Sequence, residues 1–137
     1  MKAILINSDK SLSYSDVADP VCKPGEVLIK VAYAALNRAD LMQRDGDYPP
    51  PPGAPEWMGL EVSGEIVGRG DGAKRFSVGD KVCALLGGGG YAELLFKSLY
   101  QVGQLQNGHG FDIFNKLFLV KHCLILLLIF CILSGCD

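Results

Sequence analysis

The sequence predicts a small, mainly β domain, a barrel or sandwich with one short helix, followed by a separate hydrophobic tail. Three observations lead there. Short runs rich in Val, Ile and aromatic residues alternate with glycine and proline turns over the first hundred residues. A single stretch carries helix-capping signals. After about Ser98 the composition changes: residues 99–137 contain no proline, glutamate or arginine, and residues 117–133 read LFLVKHCLILLLIFCIL. The expected division is therefore 1–98 for the domain and 99–137 for the tail.

In chain order, residues 1–6 form a short apolar strand, and residues 8–19 are polar with weak periodicity. Pro20, Pro24 and Gly25 mark a turn. The clearest strand is EVLIKVAYA, residues 26–34, which alternates in part and is rich in β-formers. It delivers the chain to Asn37, an N-cap with Asp40 three residues later, and Gly46 is placed to end the short helix that follows. Four consecutive prolines, Pro49, Pro50, Pro51 and Pro52, lack backbone donors and have fixed φ, so they should run as a stiff arm with Tyr48 at its start. Residues 62–67 read as a strand, Gly79-Asp80 as a tight turn, and residues 81–86 as a strand ending in four glycines. Residues 91–96 are a strand or the first turns of a helix, and periodicity does not decide. Strand, helix, arm and strand thus converge around Asn37, Tyr48 and Glu61.

Composition sets limits on function. The chain has 137 residues, 49% apolar and 20% charged, within the range of one globular domain with an appendage. Thirteen basic against fifteen acidic residues, with no long block of either sign, give no electrostatic footprint for nucleic acid. The N-terminal apolar run is too short for a signal-peptide core, so the expected location is cytoplasmic. The five cysteines form no Cys-x-x-Cys pair, which argues against a zinc ribbon or disulfide framework and for buried thiols.

Candidate chemistry is sparse. Gly87, Gly89 and Ala92 fit G-x-G-x-x-A after a strand, with Asp112 about twenty residues on, formally a dinucleotide fingerprint. Four adjacent glycines satisfy many such patterns, and a turn between strands is the simpler reading. The pairs Glu61/Glu65 and Asp40/Asp45 offer carboxylates, but solvated surface acids account for them equally well. His109 and His122 lie in the tail, away from any nucleophile elbow, so no triad is proposed. Tyr48, held at the end of a proline arm, suits packing against a flat ligand with its hydroxyl free to donate.

The stretches GEVLIKVAYAALNRADLMQRDGDYPPPPG, GLEVSGEIVG and FSVGDKVCALLGGGGYAEL closely resemble the N-terminal, GroES-like domain of the medium-chain dehydrogenase/reductase superfamily. Within it, the resemblance is to the zeta-crystallin-like quinone oxidoreductases. About 95 residues are covered. The resemblance implies a partly open GroES-like β-barrel, with the glycine run part of the barrel and the true nucleotide fingerprint in a later Rossmann domain, which this chain is expected to lack. Zinc-dependent relatives have Cys at the position of Asn37 and His at that of Leu60. An amide and a leucine cannot replace thiolate and imidazole, so the resemblance implies the metal-free branch.

In that branch hydride passes from NADPH to a quinone or related small electrophile, and the full-length family forms homo-oligomers. By the same resemblance Asn37 and Tyr48 line the cleft as catalytic and cofactor-binding residues, with Asp40 and Glu61 in support of the cofactor. The expected function is thus the substrate-side domain of an NADPH:quinone reductase, ending before its nucleotide-binding domain and inactive alone. The alternatives are a non-catalytic fragment, or a barrel held at a membrane by residues 117–133. That run should form a helix of about 26 Å, short of the roughly 30 Å hydrocarbon core, and Lys121 and His122 interrupt it.

Overall fold

In the computed structural model, residues 1–98 and 102–104 are described. The elements are β1 (Lys2–Ile6), β2 (Leu12–Asp16), β3 (Glu26–Ala34), α1 (Arg38–Asp45), β4 (Glu61–Arg69), β5 (Lys81–Leu85), β6 (Leu94–Ser98) and β7 (Val102–Gln104). β1 and β2 pair as an antiparallel hairpin. The other strands make an antiparallel sheet in the order β6-β3-β4-β5-β7. A bridge between Ala3 and Ala92 joins the two sheets.

Covalent reach forces the larger sheet to curl. β6 and β7 are its two edges, yet Ser98 and Val102 are only four Cα steps apart, which span at most about 14 Å. In a flat sheet of five strands those edges would lie about 19 Å apart. The bending is placed at two register shifts between β3 and β4, at Leu28/Ile29 and at Val31/Tyr33, and such bulges sharpen twist and bend. Among the described residues the result is the GroES-like half-barrel, mainly β with one helix, that the sequence motifs implied.

The same bulge explains why β3 alternates only in part. Val27, Ile29 and Val31 point inward; the shift beside Ala32 then resets the phase, and Ala34 is buried instead of Tyr33. These residues pack with Val62, Ile66, Phe76, Val82, Leu95 and Val102 in one core. The Gly79-Asp80 turn forms as expected, with the Ser77 N–H donating to Asp80 Oδ2 at 2.8 Å and Gly79 at φ +96. Of residues 91–96, where strand and helix were both open, Leu94 onward is strand, β6, preceded by the bridge at Ala92.

The boundary expected at residue 98 falls inside the sheet. β7 lies beyond it and pairs with β5, Cys83 opposite Gly103 and Ala84 opposite Val102. The expected helix over residues 117–133 lies outside the described residues, as do His109, Asp112 and His122. Among the described residues no helix is long and apolar enough to cross a membrane.

Candidate functional site

Three segments meet: residues 35–40 at the junction of β3 and α1, 57–61 at the start of β4, and 86–91 between β5 and β6. They are tied by backbone hydrogen bonds. Ala35 N–H donates to Glu61 O at 2.9 Å, Leu86 to Leu60 at 2.7 Å, Gly90 to Gly59 at 2.9 Å and Tyr91 to Met58 at 3.0 Å.

Asn37 sits where β3 has ended and α1 begins, in extended backbone at φ −145, ψ 168. Its backbone N–H donates to Asp40 Oδ2 at 2.8 Å, the acid half of a capping box, which fixes where the residue sits. The residue itself is exposed. At the other end Gly46 closes α1 in the left-handed region at φ +88.

Asp40 is 3% exposed. Its Oδ1 is buried without a hydrogen-bond partner. Burial is the largest influence on the carboxyl and raises its pKa above the usual aspartate value; the Asn37 N–H, the Tyr91 hydroxyl and the Leu60 N–H favour the charged form but do not offset it. Tyr91, beneath it, donates its hydroxyl to Ala35 O at 3.2 Å. Burial, then the charge of Asp40, pushes the Tyr91 phenol above its ordinary range, so it stays a donor at any working pH. Asp40 and Tyr91 thus lie under Asn37 and hold it in place. Sequence reasoning missed Tyr91; its signal was a Tyr between a glycine run and a strand, which reads as a strand residue.

Tyr48 is 47% exposed, just past the end of α1, with its N–H on Met42 O at 3.2 Å. The eight residues of α1 separate it from Asn37, about 12 Å along the helix. The two residues therefore stand at opposite ends of the helix. They can flank a ring-sized ligand, but they cannot act on one atom without it. Glu61 is half-buried at the start of β4 and comes near Asn37 through the Ala35–Glu61 backbone bond. The structure groups Asn37, Asp40 and Glu61 closely and leaves Tyr48 at the far end of the helix.

The glycine run is neither a fingerprint nor a loose turn. Gly89 and Gly90 N–H groups donate to Trp57 O at 2.7 Å and Gly59 O at 2.9 Å, and Trp57 Nε1 donates back to Gly89 O at 3.2 Å. Gln43 Nε2 of α1 donates to Gly87 O at 3.1 Å. A methyl at Gly87 would sit 2.5 Å from Pro51 Cγ, so the proline arm lies directly on this backbone. The Gly89 and Gly90 donors, committed to carbonyls, cannot cradle a phosphate, and a strand follows instead of a helix.

A cavity of about 770 Å3 lies beyond the glycine run, between the proline arm and β6; Asn37, Asp40, Tyr48 and Glu61 do not line it. Among the described residues no cluster of three or more His, Cys, Asp or Glu is placed to hold a metal ion.

The alcohol dehydrogenase GroES-like domain family matches residues 23–116. The chain belongs to that family, within the medium-chain dehydrogenase/reductase superfamily. It is 44% identical over 87 residues to the acryloyl-coenzyme A reductase of Metallosphaera sedula, covering 63% of this chain and 26% of that protein. It is 40% identical over 80 residues to the quinone oxidoreductase of Rattus norvegicus, covering 58% and 24%. In fold it is similar to the human synaptic vesicle membrane protein VAT-1 homolog-like protein, with a TM-score of 0.71 and 30% identity over 79% of this chain and 36% of that one. The chain thus spans between about a quarter and a third of the length of these relatives. The family match runs past residue 98, in agreement with β7 as part of the sheet.

Proposed function

We propose that this chain is the substrate-side barrel of a zinc-free oxidoreductase that reduces a quinone with NADPH, with Asn37 and Tyr48 on the acceptor wall of its cleft. The observation that carries the reading is Asn37 itself: an exposed residue whose backbone is fixed by a buried capping acid, Asp40, which the Leu60 backbone also approaches. An amide can donate to a carbonyl oxygen, whereas amide and leucine make no zinc site. The exposed ring of Tyr48 supplies a flat face about one helix length away.

Residues present here fit only one side of a nicotinamide, through the Asn37 amide and the Tyr48 ring. The hydride itself is supplied by NADPH when bound. What these residues contribute is orientation of the acceptor and exclusion of water. Asp40 and Glu61 support that wall: Asp40 through the Asn37 backbone, Glu61 through Ala35.

Two relatives' names point to one acceptor chemistry. A quinone and an acryloyl thioester are both conjugated carbonyl compounds whose oxygen gains negative charge as hydride arrives. A donor at Asn37 serves either, so the similarity to an acryloyl-coenzyme A reductase supports an unsaturated thioester as the second reading.

The test is nuclear magnetic resonance on the full chain with tetramethyl-p-benzoquinone, whose substituted ring resists addition of thiols. Expected are shifts at the Asn37 side-chain amide and the Tyr48 ring, lost in Asn37→Ala. Shifts confined to residues remote from both would overturn the site. Shifts at Asn37 with an unsaturated thioester but not with the quinone would replace the quinone by the thioester.

A further inference from the structure

A groove follows the outer edge of β6. All five residues of that strand line the cavity described above. Strand side chains alternate between faces, so a cavity touched by five residues in a row runs along the strand's edge, where backbone N–H and C=O groups point. Among the described residues β6 has one strand neighbour, β3, and no backbone hydrogen bond reaches its other edge. The rest of the lining is largely apolar and stiff, with Pro51, Pro55, Trp57 and Leu85, and Leu85 is 70% exposed. An open edge beside an apolar wall is a template for an added strand.

Charge selects what the groove takes. Two charged side chains stand on its lining, Glu26 and Lys97. Glu26 Oε2 already accepts from the Lys23 N–H at 3.0 Å. Lys97 has no ion-pair partner among the described residues. It is half-buried, and burial, opposed by the charge of Glu26, holds its ammonium below the ordinary lysine pKa. A lysine that only guards a strand edge against pairing extends into water, whereas a half-buried, unpaired ammonium gains from an incoming carboxylate. An acyl chain ending in a carboxylate would meet Lys97 and the apolar lining but leave the N–H and C=O groups of the edge unpaired. An extended peptide satisfies all three.

We infer that the β6 groove receives an extended segment of another protein, added as a strand beside β6, with alternate apolar residues on the lining and one carboxylate at Lys97. The strand offers about 17 Å of edge, enough for about five residues of such a segment. Its edge gains backbone partners, and apolar surface on both sides leaves water. This inference stands apart from the oxidoreductase reading and holds or fails without it.

The test uses the full chain. Trp57 is its one tryptophan and lies on the groove, so its fluorescence reports occupancy. The probe is a capped peptide in which valine and threonine alternate around a central glutamate. Expected is a saturable change in Trp57 emission at micromolar to millimolar peptide. Affinity should fall about tenfold when the peptide's glutamate is glutamine or the protein is Lys97→Gln, with little further loss when both are changed. Lys97→Gln should leave the thermal midpoint unmoved. Methylating alternate backbone nitrogens of the peptide should abolish binding in at least one of the two phases, because a strand pairs through one edge. No saturable change up to millimolar peptide, equal affinity for the glutamate and glutamine peptides, or binding that survives methylation in both phases would overturn the inference. So would decanoate that binds more tightly than the peptide, which gives the groove to an acyl chain. A Trp57 change that needs no peptide and accompanies dimers in sedimentation would give it to a second copy and overturn the inference equally.

Discussion

Asp40 is the residue on which the site's geometry depends. Replacing it with alanine strands the Asn37 N–H and removes a cap, which should destabilise the fold by about 1–3 kcal/mol in urea titration. Its pH dependence has a definite sign. Burial raises the folded-state pKa above the unfolded value, so the folded state binds the proton more tightly. Asp40 therefore contributes stability that is fully present below the unfolded aspartate pKa of about 3.9 and is lost as pH rises through the folded one. Stability of wild type relative to Asp40→Asn should be greater at pH 4 than at pH 7; the reverse order would show that hydrogen bonds, not burial, dominate the carboxyl. Asn37 bears on a second prediction. The purified full chain should retain no stoichiometric zinc through chelator dialysis, while Asn37→Cys combined with Leu60→His should retain more than wild type. Elemental analysis reads both, and one zinc per wild-type chain would remove the metal-free assignment.

Between elements, the three-loop junction depends on backbones in close approach. Gly59 has φ +103, and a methyl there would lie 2.4 Å from the Tyr91 nitrogen, whereas Gly72, at φ +80, has open space around it. Gly72→Ala should cost about 1 kcal/mol from the left-handed backbone alone. Gly59→Ala adds a clash with backbone and should cost at least twice as much by thermal denaturation; equal costs would mean that the loops separate easily. Such contacts also mark how far the sequence could be read. The capping residues Asn37, Asp40 and Gly46, the strand over residues 26–34 and the Gly79-Asp80 turn were legible because each acts through near neighbours. β2 was not, since the alternation in LSYSD is carried by Leu12 and Tyr14 alone; it is held by pairing with β1 and by a turn in which Lys10 adopts φ +65. β7 was missed because three residues carry no period, and their place comes from pairing with β5. At the candidate site, the pairing of Asn37 with Asp40 was visible as a capping pattern. The burial of Asp40 over Tyr91 was not, because those residues are 51 positions apart and meet only through the loops. The distance from Asn37 to Tyr48 was hidden for the opposite reason: closeness in sequence suggested closeness in space, and the helix between them keeps them apart.

At the scale of the whole molecule, the question is what this 137-residue chain does with a dinucleotide. A dinucleotide site of the Rossmann type holds its pyrophosphate at a glycine turn that opens a helix. Among the described residues the one helix, α1, begins at Arg38 after Asn37, and its first-turn acid is Asp40, a sign that repels phosphate. In the glycine run, the Gly89 and Gly90 N–H groups are spent on Trp57 and Gly59, and the run leads into a strand. On the proposed reading, what remains among the described residues for NADPH is the Asn37 amide and the Tyr48 ring. Two exposed hydrogen bonds give about 0.5–1.5 kcal/mol each, and stacking on one aromatic about 1–3 kcal/mol, so the sum stays below about 6 kcal/mol. Against it stand at least about 4 kcal/mol of lost translational and rotational freedom, and a micromolar affinity needs a net of about 8 kcal/mol. The chain by itself should therefore show no NADPH binding at micromolar concentration and no quinone-dependent NADPH oxidation. Fluorescence titration and an absorbance assay with a small quinone check both. Turnover by the wild-type chain that disappears in Tyr48→Phe or Asn37→Ala would show instead that the barrel's own wall is enough to hold nicotinamide within the roughly 3–3.5 Å that hydride transfer requires.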